Sequence, residues 1–180
     1  MRRAACLGLL VGGVALLGPF PLAGQIGELH LGVVASYGTP GTYGPGAGLV
    51  LGIAPGRLVY VGVRWSYQVG ATTLQVRNRV QSFAADLGVQ IPAGSLEVVP
   101  SLSLGALRYA QRAAGITTIS TEFLAAPGLS VEIPVARVAL IPELQLYLAG
   151  SPNLPQRVTH RGLLASVRLV VPIEVSRFKW

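Results

Sequence analysis

The sequence predicts an all-β fold, an eight-stranded antiparallel up-and-down transmembrane β-barrel, from three observations. Eight stretches of chain alternate apolar with small or polar residues, the two-residue period of a strand whose faces meet different surroundings. The connections between these stretches are alternately short and long. All seven acidic residues, Glu28, Asp86, Glu97, Glu122, Glu132, Glu143 and Glu174, fall in the polar phase, so the apolar face carries no negative charge.

Composition narrows the class before any element is placed. Of 180 residues, 51% are hydrophobic and 12% charged, too apolar for a disordered chain. A mean hydropathy of +0.57 fits a membrane protein. Only one uncharged apolar stretch, residues 4–24, is long enough to cross as a helix, which excludes a helical bundle. That stretch follows Arg2 and Arg3, is broken by Gly8, Gly12, Gly13, Gly18, Pro19 and Pro21, and ends in Leu22-Ala23-Gly24. These are the charged region, apolar region and small-residue cleavage site of an export signal. The expected organisation is a cleaved signal peptide (1–24), a barrel (25–175) and a short periplasmic tail (176–180). Cys6 leaves with the signal, so neither a disulfide nor a thiolate metal site is expected, and no cofactor.

The first run places Leu29, Leu31, Val33, Ala35 and Tyr37 on one face, against Glu28, His30, Gly32 and Ser36. Ala47, Leu49, Leu51 and Ile53 make the second. Val59, Val61, Val63, Trp65, Tyr67 and Val69 make the third, opposite Tyr60, Gly62, Arg64, Ser66 and Gln68. The fourth sets Phe83, Ala85, Leu87, Val89 and Ile91 against Asp86 and Gln90; the fifth sets Leu96, Val98, Leu102, Leu104 and Ala106 against Glu97, Ser101 and Ser103. Phe123, Ala125, Leu129, Val131 and Ile133 face away from Glu122, Ser130 and Glu132 in the sixth. The seventh has Leu140, Leu144, Leu146 and Leu148 against Glu143, Gln145 and Tyr147, and the eighth Leu163, Ala165, Val167, Leu169 and Val171 against Ser166 and Arg168. Each run, about 9 to 12 residues, suits a tilted strand crossing a bilayer.

Ala54-Pro55-Gly56, Pro92 to Ser95 and Pro134-Val135-Ala136 are tight turns after even-numbered runs, and Pro172 ends the eighth in the same way. Longer connections follow odd-numbered runs: Tyr37 to Gly46, Gly70 to Asn78, Ala110 to Thr118 and Ala149 to His160. This asymmetry is that of outer-membrane barrels, and an even strand number puts both chain ends on the short-turn, periplasmic side. Pro100 and Pro142, inside runs where proline removes a ladder donor, predict paired bulges or bends.

Charge on the polar phase alone identifies the inward face as polar and the outward face as the lipid side, because a soluble barrel would put its charges outside. Tyr37, Trp65, Tyr67, Phe83 and Phe123 are outward and at the loop ends of their runs, as an aromatic girdle at the outer interface would be. Leu104→Arg is therefore expected to be costly and Ser103→Ala to cost little. The signal segment, eight alternating runs, turn asymmetry and terminal Trp180 make the mature chain similar to the OmpA transmembrane domain and OmpX-like class of small outer-membrane barrels. The resemblance implies a protein of the outer membrane of a Gram-negative-type bacterium, inserted by that membrane's assembly machinery and monomeric. Members usually end on a strand whose last residue is aromatic; here Pro172 leaves open whether the closing strand stops at Val171 or runs to Trp180.

Eight strands enclose a lumen that side chains fill. Its expected polar network comprises Glu28, His30, Arg64, Asp86, Gln90, Glu97, Glu132, Glu143 and Arg168: Arg64 diagonal to Asp86, Gln90 opposite Glu97, and Arg168 near Glu28 or His30. A structural core is the leading expectation, with ion conductance or a small apolar ligand in the lumen as an alternative. A lipid A-modifying hydrolase centred on His30 or His160 is a further one, although neither has a nearby serine in a recognisable pattern. The expected role is thus non-enzymatic, structural or surface-interactive.

The net charge of +7 comes from scattered basic residues, all but Lys179 arginine, without the clustered stripe that nucleic-acid binding needs. Arg77, Arg79, Arg108, Arg112, Arg157 and Arg161 fall at the loop side instead. There guanidinium groups suit the phosphates of membrane lipids, lipopolysaccharide among them, or simply a solvated edge.

Overall fold

The computed structural model describes residues 26–39, 42–55, 58–73 and 76–174. The signal segment and the tail with Phe178 and Trp180 lie outside the described residues. The alternating runs form β1 (Ile26–Gly38), β2 (Pro45–Pro55), β3 (Val59–Thr73), β4 (Val76–Val89), β5 (Ile91–Ala93), β6 (Leu96–Ala113), β7 (Ile116–Val135), β8 (Val138–Ala149) and β9 (Arg161–Glu174). Among the described residues there is no helix. β5 continues β4 in the same register against β6, so nine segments make eight staves. Every neighbouring pair is antiparallel, and β1 pairs with β9 as well as β2, which closes the sheet into a barrel.

The period of two decides which side each residue takes. Leu31, Leu49, Phe83, Leu87, Leu129 and Leu144 are all about half exposed on the outer surface. Their sequence neighbours of opposite phase, among them His30, Asp86, Ser130 and Glu143, are buried inside. Along the middle of the strands burial is thus inverted relative to a soluble protein: large aliphatic groups stand outside, while Arg64, Asp86, Glu143 and Arg168 are within.

Three local expectations are corrected. The Gly70–Asn78 and Ala110–Thr118 connections are not loops, because β3 and β4 extend to Thr73 and from Val76, while β6 and β7 meet at a two-residue turn, Ala114-Gly115. Both faces are mixed there, with Arg108 and Arg112 outward and Tyr109 and Gln111 inward, so hydropathy does not mark the strand. Pro172 does not end the closing strand; β9 runs through it to Glu174, pairing Pro172 with His30. β8 begins only at Val138, so at the row of Pro172 the neighbour is already a turn, and no β8 ladder bond is lost.

The third correction concerns the internal prolines, at which no bulge forms. β6 keeps one register through Pro100 against β7, and β8 keeps one through Pro142 against β9. Bridges are missing beside them: the ladder against β6 skips Val89 and Gln90, and that between β7 and β8 skips from Ser130–Glu143 to Ile133–Leu140, with a further gap from Ala125–Leu148 to Gly128–Gln145 at Pro127. A missing donor removes a bond without displacing the strand when the outward side chains still hold the register.

The end of the barrel remote from the chain termini is covered by two connections. The β1–β2 connection folds Thr42 and Tyr43 into the mouth, 2% and 1% exposed. Thr42 accepts a 2.8 Å hydrogen bond at Oγ1 from the Thr159 backbone N–H of the β8–β9 connection. Gln111 fixes that same connection, accepting from the Gln156 N–H at 2.8 Å and donating to its carbonyl at 3.3 Å. Glycine makes the space: a Cβ on Gly38 or Gly162 would collide with Tyr43.

Candidate functional site in the lumen and at the outer rim

The lumen holds an ionic layer with an apolar one above it, and a smaller apolar cluster of Val34, Val50, Ala139, Ile141 and Val170 lies beside the ionic residues. Arg64 projects inward from β3 and uses all five of its N–H donors. Nε and Nη2 donate to Asp86 Oδ2 on β4 at 3.0 and 2.9 Å. Nη2 and Nη1 donate to the two Glu143 oxygens on β8 at 3.0 and 2.7 Å, and Nη1 also to Gln145 Oε1 at 2.7 Å. Gln145 Nε2 then donates to Ser103 Oγ on β6 at 2.9 Å, and Ser103 donates to Asp86 Oδ1 at 2.6 Å. A closed ring of hydrogen bonds therefore joins β3, β4, β6 and β8 across the lumen.

Arg168 from β9 completes the charge balance. Its Nη2 stands 3.6 Å from Glu143 Oε1 and donates to Ser130 Oγ at 3.2 Å, and its guanidinium carbon lies 5.9 Å from the centre of the Tyr60 ring. Ser166 Oγ donates to Glu143 at 3.1 Å. Two arginines and two carboxylates thus form a buried neutral cluster, each ion held by several partners. A Cβ on Gly62 would come within 2.5 Å of the Tyr60 hydroxyl oxygen, so that glycine leaves room for the ring beside Arg168.

The structure joins some of the expected lumen residues and separates others. Arg64 meets Asp86 across the diagonal. Arg168 does not meet Glu28 or His30; register puts it opposite Val34 and Ile141, well along the strand from both. Glu28 instead pairs with His30, its strand neighbour two residues on, at 3.3 Å, and the His30 ring lies 5.7 Å from that of Tyr60. Glu97 faces Pro92 and Glu132, not Gln90. Glu97 and Glu132 are half-buried near the short-turn end.

The upper layer is apolar and was hidden in the sequence. Tyr43, Val80, Ala84, Leu107, Tyr109, Leu124, Ala126, Tyr147 and Leu164 form one buried cluster, with Leu154 and Val158 of the β8–β9 connection packed on it. Tyr43 and Tyr109 share a 3.0 Å hydrogen bond, and Tyr43 meets Tyr147 edge-on at 5.6 Å. Burial, and then the bond to Tyr109, raise the Tyr43 phenol above its ordinary range, so it stays neutral. Leu107, Leu124 and Leu164 share the inward phase of Ser103, Ser130 and Ser166, and strict parity is the signal that finds them.

On the outer surface Trp65, Phe83 and Phe123 stand in one hydrogen-bonded row, linked through Ala106. Tyr67 is one outward position further up β3, and Tyr37 lies on β1 opposite Ala165. Arg77, Arg79, Arg108, Arg112, Arg157 and Arg161 are all exposed. Arg77 and Arg112 are direct cross-strand partners. His160 is half-buried at the start of β9. Among the described residues no cluster of His, Cys, Asp and Glu could hold a metal ion.

No protein-family model and no curated protein matches the chain. Solved structures do. Neisserial surface protein A is similar over 83% of this chain and 98% of its own, with a TM-score of 0.65 and 12% identity. A major outer membrane protein from Thermus thermophilus gives 0.61 at 12% identity, over 83% of this chain and all (100%) of its own. The N-terminal β-barrel domain of Pseudomonas aeruginosa OprF gives 0.55 at 12%, over 83% and 99%. With so little shared sequence the likeness is one of architecture, and the chain has the eight-stranded barrel fold of small outer-membrane proteins.

Proposed function

We propose that this protein is an integral outer-membrane barrel of a Gram-negative-type bacterium, monomeric, with a closed lumen and a non-enzymatic structural or surface-interaction role. The observation that carries it is the inverted burial: aliphatic side chains cover the outside of the strands while Arg64, Arg168, Asp86 and Glu143 neutralise one another inside. Hydrocarbon is the one solvent in which that arrangement lowers the free energy on both faces. The export signal, residues 1–24, supplies the route to the periplasm, and insertion falls to the membrane's assembly machinery. Both termini then face the periplasm, and the β1–β2 and β8–β9 connections cap the outer mouth.

The reading of a closed lumen is supported by the apolar layer, since an ion entering from outside meets the Tyr43, Tyr109 and Leu107 cluster before reaching the ionic cluster of Arg64, Asp86, Glu143 and Arg168. The non-enzymatic reading rests on His30, which is 2% exposed inside the barrel beside Glu28 and Tyr60. The test is cell fractionation with gel migration of the folded protein, boiled and unboiled. Recovery in the outer membrane with a heat-dependent mobility shift is expected. A soluble periplasmic protein without a shift would overturn the membrane assignment. Unitary currents in planar bilayers would overturn the closed lumen, and a changed lipid A in cells lacking the protein would overturn the non-enzymatic role.

A further inference from the structure

The upper outward face of β4 and β6 carries an array of guanidinium groups without acidic partners. Counting upward from the aromatic row Trp65–Phe83–Ala106–Phe123, the next outward row is Tyr67–Gln81–Arg108–Thr121. The following row is Val69–Arg79–Ala110–Ile119, and above it β4 and β6 bring Arg77 directly opposite Arg112, with Thr117 on β7 beside it. Four arginines therefore occupy three rows on two adjacent strands, a strip about 14 Å long and about 5 Å wide at strand spacings.

Like charges directly opposite in a ladder repel, and an acid nearby would ordinarily offset them. Here none does. The carboxylates whose side chains are described all belong to the inward phase, and among the described residues the basic partners in ion pairs are His30, Arg64 and Arg168. The single side-chain bond within the strip is from Arg108 to Gln81 at 3.5 Å. Ala110 keeps the space between Arg108 and Arg112 open, and a cleft of about 300 Å³ at the hairpin tip is lined by Arg77, Arg112, Ala114 and Gly115.

We infer that Arg77, Arg79, Arg108 and Arg112 form a binding site for the phosphate groups of an outer-leaflet glycolipid of the lipopolysaccharide type. This inference rests on the membrane placement proposed above and specifies the surface partner. The phase of the strands selects a lipid over a soluble polyanion. The four side chains leave the barrel on the same face as Phe83 and Leu87 below them, toward molecules standing beside the wall and not toward the solution above the mouth. The first arginine sits one outward position above the aromatic row, where head groups begin. Planar guanidinium groups hold phosphate by paired N–H donors, and Thr117 and Thr121 add hydroxyls for the sugar.

The test uses the refolded full barrel in phosphatidylcholine bilayers, titrated with bisphosphorylated lipid A and with its dephosphorylated counterpart, bound lipid being counted by native mass spectrometry. The wild type is expected to retain the phosphorylated form at least about tenfold better. The combined variant Arg77→Gln, Arg79→Gln, Arg108→Gln, Arg112→Gln is expected to lose that preference, while Arg157→Gln with Arg161→Gln keeps it. Equal retention of both lipids by the wild type, or equal loss in the two variants, overturns the site. Displacement of lipid A by millimolar inorganic phosphate or by a sulfated oligosaccharide overturns the lipid as its source. Heat-dependent gel mobility is recorded for each sample: an intact shift without phosphate preference removes the arginine site alone, whereas no shift in the wild type removes the membrane assignment beneath it.

Discussion

Arg64 is the residue on which the interior depends, because its donors end on Asp86, Glu143 and Gln145 from two other staves. Arg64→Leu leaves two carboxylates buried with their main counter-ion gone, so it is expected to cost about 3 to 5 kcal/mol in urea unfolding from lipid vesicles. Arg161→Leu at the exposed rim is expected to cost almost nothing in the same assay. Ser103 shows how a register contact changes an expectation. Read as a small polar residue in a lumen it looks dispensable, yet it is 2% exposed, donates to Asp86 and accepts from Gln145. Ser103→Ala is therefore expected to destabilise by about 1 to 3 kcal/mol, the penalty for leaving buried partners unsatisfied. A loss below about 0.3 kcal/mol would mean that the ring reorganises around the gap.

At the scale of the element, the hairpins are held by turns whose backbone matches the twist of their strands. Ala114 and Gly115 both have positive φ, 48° and 83°, the requirement of a two-residue turn joining two right-twisted strands. Alanine resists that region because its Cβ approaches the following carbonyl, whereas asparagine tolerates it. Ala114→Asn is expected to raise the unfolding free energy by about 0.5 to 1 kcal/mol, read by the same urea titration. No gain would mean that the β6–β7 hairpin is not part of the cooperative unit. The prolines carry the same lesson in reverse. Pro100 and Pro142 each lie at a gap of two bridges that does not shift the register, because the apolar outward side chains and the inward ones on either side keep to one phase.

For the whole molecule, the surrounding medium sets the sign of each substitution. Leu104 is on the outward face between Ala85 and Ala125, two positions below the aromatic row along β6. Leu104→Arg is expected to cost about 2 to 4 kcal/mol in a bilayer if that face meets hydrocarbon near its middle. In a water-facing barrel the same change would be neutral or mildly favourable, so vesicle unfolding of this one variant discriminates the two solvents. The closed mouth is likewise a property of the whole molecule. Tyr43 comes from one connection, Val158 from another and Leu107 from a strand between, and none of the three alone predicts a seal.

How much could be read without coordinates follows from which interactions are local. The period of two reports the environment of each face, so the eight staves, their in–out phase, the short turns and the outward placement of Trp65, Phe83 and Phe123 were all legible along the chain. Arg64 with Asp86 was legible too, being a diagonal pair across a single hairpin. The strand ends at the β6–β7 turn were not, because Arg112 opposite Thr117 offers no hydropathy contrast. Nor were the partners of Arg168, the bond from Arg64 to Glu143, or the placement of Leu107, Leu124 and Leu164 under Tyr43. These join residues distant along the chain and on opposite walls, and only the closing of the barrel, with its particular shear, brings them to the same height. The sequence by itself determined which solvent each face must meet, because that depends on one residue and its phase. Which charges neutralise one another inside was decided by the tertiary structure, because that depends on distances across the lumen which no local pattern encodes.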